Sequence, residues 1–198
     1  MSRGDSTRAA LVGAGRELFA ERGFAAVGTE EIVGRAGVTR GALYHHFADK
    51  RDLFRAVYEQ VEAELVAAIG ERMSGIEDPW ELFVTGLRAF LDACTDQALI
   101  RIALLDGPVV LGWAEWREID ARYGLGLVTF ALENGMERGL FARQEVRPLA
   151  HLLIGAMTEA ALVIANAPDH AAARREVEPP LLALLAGLRA PAEISDGP

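Results

Sequence analysis

Apolar side chains recur along the chain with the spacing of amphipathic helices. Leu11, Ala14, Leu18 and Phe19 form one such stripe, and residues 53, 57, 61 and 65 form another. Intervals of three and four residues place these side chains on one face of a helix. No stretch shows a convincing strand pattern. The sequence therefore predicts an all-α fold of about nine to ten helices.

Capping and turn residues set the expected boundaries of these helices. Gly124 is expected to turn the chain, and Pro179-Pro180 to break or kink the last helix, because proline lacks the amide hydrogen and clashes with the preceding turn. The predicted helices cover about 7–22, 29–36, 40–46, 50–69, 79–94, 97–105, 112–123, 125–138, 148–166 and 169 onward.

The helices are expected to form two parts. Residues 1–48 would be a small N-terminal domain that begins with a polar arm over residues 1–6. Residues 49–188 would be a larger helical body, joined to the first part through the helix 50–69. Residues 189–198 would be a flexible tail.

The segment from Thr29 to Lys50, TEEIVGRAGVTRGALYHHFADK, reads as two short helices joined by a tight turn. Thr29 is expected to cap the first helix, Gly37 to end it, and Thr39 to cap the second. Leu43 and Phe47 would then pack against the first helix. Arg40, Gly41, Ala42, Tyr44 and His45 are left on the outward face.

That outward face suits close approach to a polyanion rather than to water alone. Arg40, Tyr44, His45 and Lys50 offer hydrogen-bond donors, while Gly41 and Ala42 keep the backbone accessible. A helix–turn–helix places its second helix in the major groove of DNA, with its first residues at the base edges.

The segment resembles the DNA-binding part of the tetracycline-repressor (TetR) family of bacterial transcription regulators. The matching residues are Ala36-Gly37-Val38-Thr39, Gly41, Leu43-Tyr44, His46-Phe47, Lys50 and Leu53, preceded by Leu18-Phe19 and Gly23-Phe24. The match covers about the first sixty residues closely, and the rest in its helical layout. Ala42 stands where many relatives carry threonine, so only contact with a thymine methyl is expected there.

The resemblance implies specific roles on double-stranded DNA. Arg40 and Ala42 would touch bases within a palindromic operator. Phosphate contacts, which fix position rather than sequence, are assigned to Thr29, Thr39, Tyr44, His45 and Lys50, with Gly41 allowing close approach. A homodimer would read two half-sites about one helical turn apart, ~34–36 Å or a multiple of that.

The predicted eighth and ninth helices are apolar on more than one face and therefore need cover on more than one side. In the family the equivalent helices form a four-helix bundle between two subunits, although burial within one subunit is an alternative. The expected dimer interface consists of Leu125, Val128, Leu132, Leu149, Leu153, Ala156, Met157, Ala160 and Ile164.

The resemblance also implies a pocket for a small-molecule effector of unknown identity. Aromatic residues in the body could line an apolar cavity, with charged residues as anchors. The alternative for Trp113 and Trp116 is that they pack a single helix. The candidate lining residues are Phe90, Arg101, Asp106, Trp113, Trp116, Arg117 and Phe130.

Charge and composition are consistent with this assignment. The net charge is −9, but residues 1–55 hold nine Lys/Arg against seven Asp/Glu. A basic N-terminal part on an acidic body favours one docking orientation on phosphate. Cys94, the single cysteine, is expected to be a buried small residue.

Other functional classes find little support in the sequence. No signal peptide follows Met1, and the apolar stretch 149–167 is interrupted by polar residues, which predicts a cytoplasmic protein without a membrane span. No hydrolase, metalloprotease or phosphate-loop motif occurs, and His45 and His46 point in different directions, so neither catalysis, a cofactor nor a metal site is expected. The alternative function is a helical ligand-binding protein or enzyme whose N-terminal motif does not read specific DNA.

Overall fold

The computed structural model describes residues 3–190, and these form an all-α fold, as predicted. The only β feature within this range is an isolated bridge between Phe141 and Arg189. The helices are α1 (Arg3–Arg22), α2 (Thr29–Ala36), α3 (Arg40–His46), α4 (Lys50–Met73), α5 (Pro79–Ala93), α6 (Gln97–Leu99), a π-helical segment (Ile100–Asp106), α7 (Gly107–Leu111), α8 (Trp113–Glu137), α9 (Val146–Ala165) and α10 (His170–Ala186).

The chain divides into two compact units. Unit 1 comprises the residues up to Leu65 together with Ala93–Tyr123, and unit 2 comprises Val66–Asp92 and the residues from Gly124 onward. The domain boundary at residue 48 stays a prediction. Of the predicted arm and tail, residues 1–2 and 191–198 lie outside the described residues.

The core of the N-terminal part of unit 1 follows the apolar pattern. The apolar pattern predicts a core of eight residues from the first three helices and the turns between them. Six of these are buried, whereas Phe24 and Val38 are half-buried at its edge. Phe19, Phe24 and Phe54 join α1 and α4 through tilted and edge-to-face ring contacts at 5.3–5.7 Å. The six buried residues are Leu11, Leu18, Phe19, Ile32, Leu43 and Phe47.

The caps of α2 and α3 explain how the tight turn forms. Gly37 adopts a left-handed backbone with φ 66° and ends α2, as predicted. Thr39 caps α3, and its hydroxyl oxygen accepts the Ala42 amide at 3.2 Å. The expected cap at Thr29 is one residue off. Gly28 is the N-cap, since its amide donates to the Glu31 carboxylate at 3.1 Å, and Thr29 is the first helical residue.

The middle of unit 1 is more continuous than the turn signals indicated. The break expected at Asp106-Gly107-Pro108 is absent, because the π-helical segment leads directly into α7. Pro108 lies in the first turn of α7, where its missing amide hydrogen costs nothing. Trp116 fills the space beside Gly107, where an added Cβ would stand 3.0 Å from the indole Cδ1.

Helix α8 corrects the expected turn at Gly124. The chain remains helical from Trp113 to Glu137, and neither Gly124 nor Gly126 interrupts it. A glycine inside a helix costs only ~0.5–1 kcal/mol relative to alanine, which the packing of a long helix can offset. The predicted end at Gly139 is confirmed, with φ 73° and the Leu140 amide bound to the Gly135 carbonyl.

Unit 2 holds a further correction to helix boundaries. Asp169 caps α10, as expected, but Pro179 and Pro180 lie inside that helix and do not end it. Charged side chains on α10 form ion pairs with neighbouring helices, which helps to hold this proline-containing helix in place. Arg174 pairs with Asp92 and with Glu178, and Glu178 also pairs with Arg88 at 2.7 Å.

Candidate nucleic-acid interface

The outward face of α3 is exposed as the sequence predicted. Thr39, Arg40, Gly41, Tyr44 and His45 are all exposed, while Ala42 is half-buried. An added Cβ at Gly41 would meet no atom closer than the Thr39 hydroxyl oxygen, at 3.8 Å. The packing of the chain therefore does not require glycine at this position. The backbone here is open to a surface outside the protein.

Arg40 is the most prominent donor on this face. Its guanidinium lies 5.6 Å from the centre of the Tyr44 ring, one helical turn away, and pairs with Glu30 at 2.9 Å. Both members of the pair are largely exposed, so their attraction is weak and screened by salt. An external anion could therefore replace Glu30 as the partner of Arg40 at little cost.

Lys50 is placed differently from the other predicted phosphate contacts. Its ammonium donates to the carbonyls of Phe24 and Val27, at 2.9 Å in both cases, and lies 4.0 Å from the centre of the Phe24 ring. Partial burial lowers its pKa. Two of three ammonium hydrogens are thus used to hold the α1–α2 turn against the start of α4, and a phosphate contact could use only the third.

Two more residues support the α1–α2 turn and the start of α4 from within unit 1. The Phe24 amide donates to the Asp106 carboxylate at 2.7 Å. Arg51 donates to the carbonyls of Val110 and Leu111 at 3.1 and 2.9 Å. Sequence reasoning missed this support, because the partners are 59 to 82 positions apart and no local pattern links them.

The predicted pocket residues have varied surroundings. Trp116 is buried and donates its indole N–H to the Ala103 carbonyl at 2.9 Å, so it packs unit 1. Trp113 is 62% exposed, and Asp106 holds the Phe24 amide. Arg117 pairs with Asp120, and Arg101 is exposed. In unit 2, Phe90 is half-buried and Phe130 is exposed.

Unit 1 also contains an open groove of about 410 Å³ that none of the seven predicted pocket residues lines. Its walls come from α1, α4 and the end of the unit 1 part of α8, including Arg8, Val12, Gln60 and Tyr123. The effector pocket as a set of residues stays a prediction.

The expected dimer interface needs revision. Leu132, Leu149, Leu153, Ala160 and Ile164 are already buried within a single chain, so a partner subunit has almost none of their surface left to cover. An α-helix has several faces, and these residues occupy the inner one. Leu125, Val128, Ala156 and Met157 are half-buried and remain candidates.

Other apolar residues of unit 2 are exposed. Leu152 and Val163 on α9 are 72% and 47% exposed, and Leu184 on α10 is 63% exposed. Within residues 3–190, α9 is also the one helix long and apolar enough to cross a membrane by length and composition. Exposed apolar side chains on packed helices commonly mark a protein interface.

The single cysteine and the metal-ligating residue types were also located in the structure. Cys94 is fully buried, as predicted, and burial raises the pKa of its thiol. Among residues 3–190 no group of three or more His, Cys, Asp or Glu side chains is arranged to hold a metal ion.

Comparison with known families matches both parts of the chain. Residues 11–57 match the bacterial regulatory proteins of the tetR family. Residues 80–188 match the tetracyclin repressor-like C-terminal domain. The second match covers more than half of the chain.

Individual relatives agree with the family matches. The TetC protein of transposon Tn10 from Escherichia coli is 30% identical over 150 residues, which is 76% of this chain and 76% of that protein. The transcriptional activator FasR of Mycolicibacterium smegmatis is 34% identical over 44% of this chain and 40% of its own length.

A solved structure extends the similarity to nearly the whole chain. A TetR-family transcriptional regulator from Pectobacterium atrosepticum is 34% identical, with a TM-score of 0.86 over 96% of this chain and 99% of that one. Regulators of this family bind DNA and act as dimers with small-molecule effectors. The chain belongs to the TetR family of DNA-binding transcriptional regulators.

Proposed function

We propose that this regulator is a cytoplasmic homodimer that binds a palindromic operator through α3 and leaves it when a small molecule binds. The observation that carries the proposal is the exposed face of α3, where Arg40, Gly41 and Tyr44 stand beside one another on a capped helix. Arg40 and Ala42 would read bases. Phosphates would be held by Thr29, Thr39, Tyr44 and His45.

The support beneath α3 explains how the recognition helix keeps its position. Leu43 and Phe47 are buried, and Lys50 ties the start of α4 to the α1–α2 turn. Because α4 begins shortly after α3 ends and continues for 24 residues, a displacement of α4 would change the position of α3. An effector that prefers the wrong separation of the two recognition helices would weaken operator binding, with a coupling of typically ~1–3 kcal/mol.

A revised dimer interface belongs to this proposal. The exposed apolar residues Leu152 and Val163 on α9 and Leu184 on α10 fit a bundle formed by these two helices and their copies in a second subunit. Two subunits related by a twofold axis present two recognition helices to a palindrome, which a single α3 of seven residues does not read alone.

Repression and activation both begin with operator binding, so the same DNA contacts serve either sign of regulation. Repression is proposed because an operator-bound dimer that blocks a promoter needs no further contact. FasR is named as an activator, so a promoter-reporter assay in the presence and absence of the gene tests the sign directly.

The experiment that tests DNA reading is selection of bound genomic fragments by purified protein at near-physiological salt. The native protein should recover a palindrome, and Arg40→Ala should not. Arg35→Ala is the matched control, because Arg35 is also exposed and ion-paired, with Glu17 at 2.8 Å, but lies on α2. Equal recovery by the native protein and Arg40→Ala would contradict base reading by α3. The helical body would then be the place to look for function.

A further inference from the structure

Arg40, the residue proposed to read bases, is paired with a carboxylate of the neighbouring helix. Glu30 lies in the first turn of α2, and its oxygen accepts a hydrogen bond from the Arg40 guanidinium at 2.9 Å. The Glu30 and Arg40 side chains are 68% and 64% exposed. A carboxylate beside the proposed DNA-binding face is repelled by phosphate and lowers the overall affinity for DNA. Attraction to DNA therefore does not explain why Glu30 stands there.

The helix–turn–helix is held together by contacts other than this ion pair. Gly37 ends α2 in the left-handed region, and the Val38 amide donates to the Val33 carbonyl at 3.1 Å. The Thr39 hydroxyl then caps α3. An ion pair between two exposed side chains adds little to the free energy of unfolding. Stability of the fold therefore does not explain the pair either.

The neighbouring carboxylate of Glu31 has the structural role that Glu30 lacks. Glu31 accepts the Gly28 amide at 3.1 Å and pairs with Arg22 of α1 at 2.5 Å. These contacts close the start of α2 and tie it to α1. Glu30 instead pairs with the side chain that is proposed to read bases.

The Arg40 guanidinium has enough donors to contact a base while it stays paired with Glu30. It carries five N–H groups, and a bidentate contact with the O6 and N7 acceptors of guanine uses two of them. Glu30 takes one, and Tyr44 interacts with the same guanidinium through its ring, 5.6 Å away, and through its hydroxyl. Guanine is neutral and leaves the ion pair in place. A phosphate is an anion and competes with Glu30 for the positive charge.

We propose that Glu30 is a specificity-determining residue that favours guanine over phosphate as the partner of Arg40. On the operator, Arg40 contacts guanine and keeps its ion pair with Glu30. On other sequences Arg40 turns to a phosphate, which leaves the Glu30 carboxylate unpaired beside the negatively charged DNA backbone. This repulsion weakens non-specific binding more than operator binding, so it raises the ratio of the two affinities. The inference rests on the proposed function, since it assumes that α3 reads bases through Arg40.

The test measures the binding of the full-length protein to two DNA duplexes of equal length, by fluorescence anisotropy over a range of salt concentrations. One duplex carries the palindrome recovered in the genomic selection, and the other has both half-sites scrambled. The variant is Glu30→Gln, whose amide oxygen still accepts a hydrogen bond from Arg40 but carries no charge. The matched control is Glu17→Gln, which removes the same charge from an exposed carboxylate of α1 whose partner, Arg35 at 2.8 Å, lies outside α3.

Glu30→Gln should bind the scrambled duplex more tightly than Glu17→Gln does, while the two variants bind the palindrome with nearly equal affinity. The ratio of operator to non-specific affinity should fall on the order of tenfold for a dimer, since each subunit loses one exposed ion pair. The slope of log affinity against log salt for the scrambled duplex should steepen by about 0.9 per subunit, because each released Arg40 neutralises one more phosphate. A carboxylate that only stabilised the fold would leave this slope unchanged.

A second substitution shows whether the effect of Glu30 acts through Arg40. In an Arg40→Ala background, Glu30→Gln and Glu17→Gln should give the same affinity for the scrambled duplex and the same salt dependence, because no guanidinium is left to be released. This comparison uses the scrambled duplex alone, so it requires no known operator.

The outcomes separate this inference from the proposed function. The inference is overturned by equal affinity ratios in Glu30→Gln and Glu17→Gln, or by an effect of Glu30→Gln that persists without Arg40. It is also overturned if Glu30→Gln loses affinity for the palindrome through one base pair, since Glu30 would then itself accept a hydrogen bond from cytosine. In each of these cases a palindrome recovered by the native protein leaves the regulator proposal standing. A native protein that recovers no palindrome removes the proposed function, and with it the specificity assigned to Glu30.

Discussion

The ammonium of Lys50 lies between the carbonyl oxygens of Phe24 and Val27, at 2.9 Å from each. At the scale of single residues, this placement separates two groups. One group holds the helix–turn–helix together, and the other lies on its exposed face. Arg40, Gly41 and Tyr44 face outwards, whereas Lys50 and Asp106 hold backbone groups of the α1–α2 turn. Mutations in the two groups should therefore have different consequences.

Tyr44→Ala tests the group of residues on the exposed face of the helix–turn–helix. The change removes the phenol side chain, whose ring lies beside the Arg40 guanidinium. Operator affinity should therefore fall by about 1–2 kcal/mol. Fluorescence anisotropy with a labelled operator measures the loss. The dimer and its thermal stability should be unchanged, since Tyr44 is exposed. Unchanged affinity would remove the tyrosine from the interface.

Glu62 should make folding stability depend on pH. Burial raises its pKa to about 8 in the folded protein, from near 4.5 in the unfolded chain, so the folded state binds the extra proton between these values. Stability therefore falls as pH rises through this window, by roughly 2 kcal/mol between pH 6 and pH 8.

Urea unfolding at pH 6, 7 and 8 measures this loss. Glu62→Gln should remove most of the dependence, while Glu64→Gln should keep it, because Glu64 is exposed. The difference between variants cancels contributions from other titrating groups. A native protein and a Glu62→Gln variant with the same pH dependence would show that Glu62 is ionised in the folded state.

At the scale of helices, glycines in α8 have opposite structural roles. An added Cβ at Gly124 would meet no atom within 4 Å, whereas one at Gly135 would lie 2.3 Å from Cδ2 of the buried Phe141. Gly124→Ala should stabilise the protein by ~0.5–1 kcal/mol through helix propensity. Gly135→Ala should destabilise it by about 1–3 kcal/mol, because the Phe141 ring must move.

Thermal unfolding of the two variants under identical conditions compares these effects directly. Both substitutions add one methyl group to the same helix, so each is the control for the other. A loss of stability in Gly124→Ala would mean that the chain turns at this residue after all.

The helices that local signals define were predicted closely. The bounds of α3, the cap at Thr39 and the left-handed Gly37 all follow from residues within a few positions of one another. The π-helical segment, the uninterrupted α8 and the prolines inside α10 could not be predicted, since long-range packing decides whether a weak turn signal ends a helix. The same limit applies to Asp106, whose partner is 82 residues away.

At the scale of the whole molecule, DNA reading and subunit association depend on different parts of the chain. The residues proposed to read DNA lie on α3 in unit 1, and the exposed apolar residues of α9 and α10 lie in unit 2. Apolar faces and the family resemblance together selected Leu132 and Ile164 for the predicted interface. Apolar periodicity identifies buried positions without distinguishing the core of one chain from the interface between two.

Leu152→Glu and Leu184→Glu test the revised interface and its link to DNA binding. Each introduces a charge on an exposed apolar residue, so the folded chain should tolerate it, whereas a buried interface between subunits should not. Light scattering should then report a monomer with native helicity. Operator affinity should fall at least tenfold, because one α3 can occupy only one half-site. Val109→Glu is the control, since Val109 is 82% exposed but lies in unit 1, and it should leave the dimer intact. If both leucine variants remained dimers with full operator affinity, the subunits would associate through another surface.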